Sequence, residues 1–99
     1  MKRKGKVPLF LSRQIYFAMY TVYVLYSQKL DRYYVGYTND LDRRLSEHNR
    51  IKGKYTDTGL PWIVVHTEEY QSKKHAQERE KAIKKRKSKQ AIIDIINSW

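Results

Sequence analysis

Apolar residues fall along the chain in three short runs and three stretches of helical period, each closed by residues that stop it. "YTVYVLYS" (20–27) is dense in β-branched and aromatic side chains and predicts a strand. "QKLDR" is a short polar connection, and "YYVGY" (33–37) predicts the returning strand of a hairpin. "TND" then offers N-cap residues before a helix over about 40–50. "RIKGKYTDTGLP", with two glycines and a proline, reads as a loop, and "WIVVHTEEY" (62–70) as a third strand. Ser72 can cap a helix over about 73–87 and Ser88 a last one, in which Ala91, Ile92, Ile95, Ile96 and Trp99 form an apolar stripe. The order is β-β-α-β-α-α, which predicts an α+β fold: a small three-stranded, mostly antiparallel sheet flanked by helices.

Ninety-nine residues allow one core, and 40% apolar with 31% charged residues suits a soluble globular chain. No apolar run nears the roughly 20 residues that span a bilayer, so no membrane partner is expected. The absence of cysteine removes disulfides, thiolate nucleophiles and cysteine-based metal sites, and fits a cytoplasmic location.

Charge changes the picture more. The formal net charge is +11, and it is unevenly spread. Residues 1–18 carry five basic groups and no acidic one, while residues 71–90 carry nine basic groups against Glu78 and Glu80. Such a concentrated patch attracts polyanions, of which nucleic acid is the usual one. The opening "MKRKGKVPLFLSRQIYFAM" has no period; its apolar stretch is short, Arg13 follows it, and no small-residue cleavage site appears. Residues 1–18 are therefore expected to be a basic, flexible extension ahead of a domain over 19–99.

Candidate chemistry lies where the hairpin turns into the first helix. At 100° per residue, Leu41 and Leu45 share one stripe, and Arg44 and His48 flank it, whereas Arg43 and Arg50 point away. Taken singly, Arg44 could snorkel and His48 could be a core-edge histidine. In the second helix Ala76, Ile83 and the stem of Lys87 share a face, and Glu80 falls in its middle. A carboxylate there needs a cationic partner, either Lys84 one turn on or a metal ion. Tyr23 and Tyr34 lie on adjacent strands, where their side chains can meet across the ladder, and Gly36 leaves room beside them for a substrate backbone. No Gly-rich phosphate loop, zinc-type His/Cys spacing or Ser-His-Asp order is visible.

These residues together resemble the GIY-YIG nuclease superfamily, over about 80 residues from Met19 to Trp99. "TVY" (21–23) stands where the first half-motif lies and "YVG" (34–36) matches the second, with Tyr34 eleven positions after Tyr23. Arg44 and His48 fall on the family's helical arginine and histidine, and Glu80 in "REKAIKK" on its metal-binding glutamate. The chain is most similar to small stand-alone members, which resemble the incision domain of bacterial excision-repair nucleases. Thr21 replaces the glycine of the first half-motif, and the helper asparagine has no clear counterpart; Asn97, the one candidate, is left out of the site.

The resemblance implies a metal-dependent endonuclease hydrolysing phosphodiester bonds in DNA, directed by structure or damage as in repair or recombination. RNA stays open as a substrate, and so small a chain leaves room for a protein partner that supplies specificity. By this resemblance Glu80 binds Mg²⁺ or Mn²⁺, Arg44 donates to the phosphate, and Tyr23 acts as base with a depressed pKa while His48 orients the water or relays its proton. Tyr34 binds the water or phosphate, and Lys84, Lys85, Arg86 and Lys87 contact nucleic acid. The alternative is a nucleic-acid-binding module of the same fold that is inactive or needs a partner.

Overall fold

A computed structural model describes residues 19–99; the basic segment 1–18 lies outside the described residues. Strands β1 (Tyr20–Ser27), β2 (Arg32–Thr38) and β3 (Trp62–Tyr70) form one antiparallel sheet in the order β2-β1-β3. Helices α1 (Leu41–His48), α2 (Lys73–Arg86) and α3 (Lys89–Asn97) complete the expected β-β-α-β-α-α order. A short 3₁₀ turn at Tyr55–Gly59 lies within the segment read as loop.

Strand alternation sends β1 side chains to two cores. Val22 and Val24, with Val35 of β2, pack beneath Ala76 and Ile83 of α2 and Ile92 and Ile95 of α3. Tyr23 and Leu25 face the other way, onto Trp62 and the flanking Leu30, Leu41, Leu45, Leu60 and Val64. The central strand is thus covered on both faces, and Val22, Val24 and Leu25 are fully buried. Burying each such side chain contributes roughly 1.5–3 kcal/mol.

The helices start where their caps allow. The Asp40 carboxylate accepts from Arg43 N, Ser72 Oγ from His75 N and Ser88 Oγ from Ala91 N. Helix α2 ends at Lys87, which adopts a left-handed φ of 57° and is exposed, so its stem leaves the buried face of Ala76 and Ile83. Glycine or asparagine would adopt this conformation more readily than lysine. The carboxamide of Asn49, just beyond α1, clips the helix to the start of β3: Oδ1 accepts from Trp62 N at 2.7 Å, and Nδ2 donates to Trp62 O at 3.0 Å. Lys52 Nζ then donates to the carbonyls of Glu47 and His48 in the last turn. The corner between β2 and the sheet-bound helix is therefore fixed at both ends.

Candidate active site

Tyr23 projects from the middle of β1 and is 1% exposed. Its Cα partner on β2 is Gly36, and the phenol ring lies directly over that glycine. A Cβ built on Gly36 would stand 2.5 Å from Tyr23 Oη and 2.7 Å from its Cζ. The space that the sequence reserves for a substrate backbone is therefore filled by the tyrosine itself. Gly36 serves to let Tyr23 lie flat and carry its hydroxyl across β2 to α1. There Arg44 Nη1 donates to Tyr23 Oη at 3.5 Å, while Arg44 Nε pairs with Glu47 at 3.3 Å.

Tyr34 and Tyr23 are diagonal neighbours rather than opposite, because Tyr34 pairs with Leu25. The two phenols meet through His48 instead. The imidazole takes Tyr34 at 4.5 Å and Tyr23 at 6.3 Å between ring centroids, both edge-on. Tyr34 also contacts Trp62 edge-on at 6.4 Å, so the imidazole is held by aromatic packing rather than by a hydrogen bond. Neither the His48 ring nor the Tyr34 hydroxyl is hydrogen-bonded to the described residues.

Electrostatics separate these groups. Burial pushes the Tyr23 phenol up, and although Arg44 pulls it back, the net direction is upward. This corrects the expectation of a depressed phenol: the ring is too deeply desolvated, and the charge of Glu80 adds to the rise. His48 moves the other way. Burial lowers it, and the cations Lys52 and Arg44 lower it further, so it is a neutral imidazole at neutral pH.

Glu80 sits one helix away on α2, with a side chain 16% exposed, and its Oε2 accepts from Lys84 Nζ at 2.9 Å. It shares with Arg44 a cleft of about 400 Å³, lined also by Tyr20, Tyr37, Thr38, Asn39 and Lys73. Among the described residues, no group of three or more His, Cys, Asp or Glu side chains could hold a metal ion. The donor set is thus one carboxylate beside an open cleft. It suits a hard cation that keeps several waters and takes its remaining oxygens from substrate, as Mg²⁺ does, and does not suit zinc.

Residues 19–92 match the family described as the GIY-YIG catalytic domain. The chain belongs to that family. GIY-YIG domains are nuclease domains, so the residues gathered at the β2–α1 corner belong to a nuclease fold. The relatives are small proteins named only UPF0213. One from Halobacterium salinarum is 43% identical over 78 residues, 76% of this chain and 100% of the relative. Others from Listeria monocytogenes (45% identical; 62% of this chain, 72% of the relative) and Streptococcus agalactiae (44%; 64% and 72%) are similar. No solved structure matches the chain.

In this GIY-YIG domain, Lys85, Arg86 and Lys87 are exposed, and Lys84 is exposed but tied to Glu80. Asn97 is exposed in the last turn of α3 and does not line the cleft. No described helix is long and apolar enough to cross a membrane. Sequence reasoning missed Lys73 and Asn39 at the cleft. Lys73 carried a signal, since a cation in the first turn of a helix opposes the helix dipole. It also missed a buried ionic cluster behind the sheet. The Glu68 carboxylate accepts from Arg79 Nε at 2.8 Å, Tyr70 Oη at 2.7 Å and His66 Nε2 at 2.8 Å. Trp99 covers it, with the Arg79 guanidinium 5.9 Å from its ring centroid.

Proposed function

We propose that the chain is a metal-dependent endonuclease that hydrolyses phosphodiester bonds in DNA, choosing its target by structure or damage rather than by long sequence. The observation that carries this reading is the convergence of Tyr23, Arg44 and His48 at one corner, with Glu80 across the same cleft as Arg44. Membership of the GIY-YIG family supports it.

In this reading Arg44, fixed by Glu47 and Tyr23, donates to the non-bridging phosphate oxygens where charge builds in the transition state. His48 is neutral and free to accept, so it takes the proton of the attacking water. Tyr23 stays protonated; its hydroxyl orients the water and holds the Arg44 guanidinium in line. Tyr34 packs the imidazole in place and offers its own hydroxyl to the phosphate. Glu80 would hold the divalent ion, which when bound supplies Lewis-acid stabilisation of the phosphate and leaving oxygen. Lys73 and the exposed Lys85, Arg86 and Lys87 engage neighbouring phosphates.

A second reading has one observation in its favour. Lys84 already neutralises Glu80, which suits a module that binds nucleic acid without cutting it or that needs a protein partner to free the carboxylate. One experiment separates the two: flapped, branched and duplex DNA incubated with the purified chain and Mg²⁺ or Mn²⁺, beside a chelator control and Glu80→Gln. Metal-dependent cleavage by the parent and none by Glu80→Gln, with DNA affinity unchanged, is expected. Cleavage by Glu80→Gln at the parent rate would remove Glu80 from the site. Tight binding without cleavage of any substrate would leave the second reading.

A further inference from the structure

A second and larger cleft, of about 700 Å³, opens along the outer edge of β2 against the α2–α3 junction. Its wall runs through Arg32, Tyr33, Tyr34, Ile83, Lys87 and Ile92. None of the sequence motifs accounts for it. That volume lies within the roughly 300–1,000 Å³ of small-molecule sites. The lining combines aromatic and aliphatic surface with a cationic rim. Of that rim, Lys84 is paired with Glu80 and Lys89 with Asp31, whereas Arg32 and Lys87 form no ion pair with the described residues. The cleft therefore presents unbalanced positive charge above apolar and phenolic walls.

Two residues join it to the candidate active site. Tyr34 lines the cleft and stands 4.5 Å from the His48 ring, and Lys84 lines it while holding Glu80 at 2.9 Å. An occupant of the cleft therefore adjoins two residues that also contact the candidate site. A paired duplex cannot fill such a space, because its bases are turned inward and stacked. An unpaired nucleotide can: it offers a π-face to Tyr33 and a phosphate to the rim.

We infer that this cleft receives one unpaired nucleotide beside the scissile phosphate, so that the substrate class is DNA with a single-stranded or extrahelical nucleotide at the cut. The inference deepens the nuclease reading and rests on it for the position of the cut, but it is tested by binding alone. Arg32 and Lys87 hold the flanking phosphate, and Tyr33 lies under the base. Lys87 keeps its charge here in a left-handed conformation that glycine adopts more readily.

The experiment measures fluorescence anisotropy in EDTA, where no cleavage occurs, on a blunt duplex, the same duplex with a one-nucleotide bulge, and a short oligo-dT. The parent should bind the bulged duplex about tenfold more tightly than the blunt one, the scale of one stacked base. The pair Arg32→Ser with Lys87→Gly should erase that preference, and Lys87→Gly also relaxes the backbone. The control pair Lys81→Ser with Lys85→Ser removes the same charge outside the cleft and should weaken both duplexes equally, keeping the preference. A bulge bearing 2-aminopurine should lose fluorescence on binding the parent and keep it with Tyr33→Leu. Equal affinity of the parent for both duplexes would overturn the inference while leaving nuclease activity intact. So would equal effects of the two variant pairs. Displacement of oligo-dT by an equally charged Glu-Val repeat peptide at the same concentration would assign the open β2 edge to an acidic protein strand, and overturn it too.

Discussion

The Tyr23 ring occupies the place of the side chain that Gly36 lacks, with Oη 2.5 Å from where a Cβ would be. Gly36→Ala therefore forces a buried phenol to move, and Tyr23 is 1% exposed with no room to swing. Overpacking of this kind costs about 1–3 kcal/mol, which should appear as a lower melting temperature. The same shift carries Oη away from Arg44, so cleavage should fall by about 10²-fold or more, as when one positioned donor is lost. Tyr23→Phe separates the two effects, because it keeps the ring and removes the hydroxyl. A Gly36→Ala protein with parent melting and parent rate would show that the ring has freedom this geometry denies.

The pH dependence of cleavage distinguishes the two candidate bases. A base works unprotonated, so the rate rises with pH through its pKa and then levels. His48 is held below the ordinary histidine value of about 6.5 by burial and by Lys52 and Arg44. The rate should thus climb below that value and be flat from neutral pH upward. Tyr23 is pushed above the ordinary phenol value, so it would give a rate still rising beyond about pH 9. Single-turnover rates from pH 5 to 10 at fixed metal concentration, with His48→Gln as the partner profile, decide between them. A continued log-linear rise past pH 9 would return the proton to Tyr23. Lys52→Ala should move the midpoint upward, since it removes one of the cations that lower His48.

Much of this was legible in the residues. Strand alternation and the Asp40, Ser72 and Ser88 caps fixed the element order, and helical projection separated Arg44 from Arg43. The room above Gly36 was misread because a one-dimensional pattern shows that a side chain is absent but not what fills its place. The phenol shift was misread for a related reason: the sign of the Arg44 field was visible, but the depth of burial that outweighs it was not. The Glu68 cluster was hidden by register. Val24 pairs with His66 and Leu25 with Val64, so Val65 is an extra bulged residue that breaks the alternation of "WIVVHTEEY". Beyond the bulge, His66 and Glu68 point inward with Val22 and Val24. A glutamate and a histidine two apart on a strand were the one available sign.

That cluster has its own consequence for stability. Burial alone would raise Glu68, but hydrogen bonds from Arg79, His66 and Tyr70 prevail and hold it below the usual carboxylate value. Its partner Tyr70 is pushed up to about 12 by burial and by its bond to Glu68. A depressed folded-state pKa stabilises the fold above the unfolded value of about 4.3, and that share is lost as pH falls through the folded value. Glu68→Ala, which strands Arg79 and His66, should cost about 3–5 kcal/mol at pH 7. Urea titrations should show the parent losing stability on acidification below about pH 4 and Glu68→Gln losing less of it. Parallel curves for the two proteins would place the acid sensitivity elsewhere.

Salt dependence should report how many cations reach phosphate. Residues 71–90 carry nine lysines and arginines. Arg79, Lys84 and Lys89 are engaged with Glu68, Glu80 and Asp31. Six remain that form no ion pair with the described residues: Lys73, Lys74, Lys81, Lys85, Arg86 and Lys87. If four to six of them touch phosphate, the log-log slope of duplex binding against salt is about −4 to −5. Removing Lys85 and Arg86 together should reduce it by roughly 2 units. A slope near zero would take DNA off this surface.

Arg43 and Arg44 are sequence neighbours with opposite surroundings, and their alanine variants should differ sharply. Arg43 is half exposed and pairs with Asp40 and Glu47 on the outer side of α1. Arg44 is 36% exposed and turns inward to Tyr23 Oη and the cleft it shares with Glu80. Losing a preorganised donor to a developing oxyanion costs about 10²- to 10³-fold in rate. A solvated arginine offers DNA only a screened attraction, well under about 1 kcal/mol by analogy with exposed ion pairs. Arg44→Ala should therefore lose most of its cleavage rate while Arg43→Ala stays within a fewfold of the parent. Arg43→Ala should melt close to the parent, because it loses only exposed ion pairs, whereas Arg44→Ala should lose up to about 1–3 kcal/mol, because it leaves the buried Tyr23 hydroxyl without its partner. Arg44→Lys sharpens the test: an ammonium keeps the charge but lacks the planar fork that can hold Tyr23 and a phosphate oxygen together, so it should recover binding more than rate. Equal losses from Arg43→Ala and Arg44→Ala would mean that the inward face of α1 does not do the chemistry.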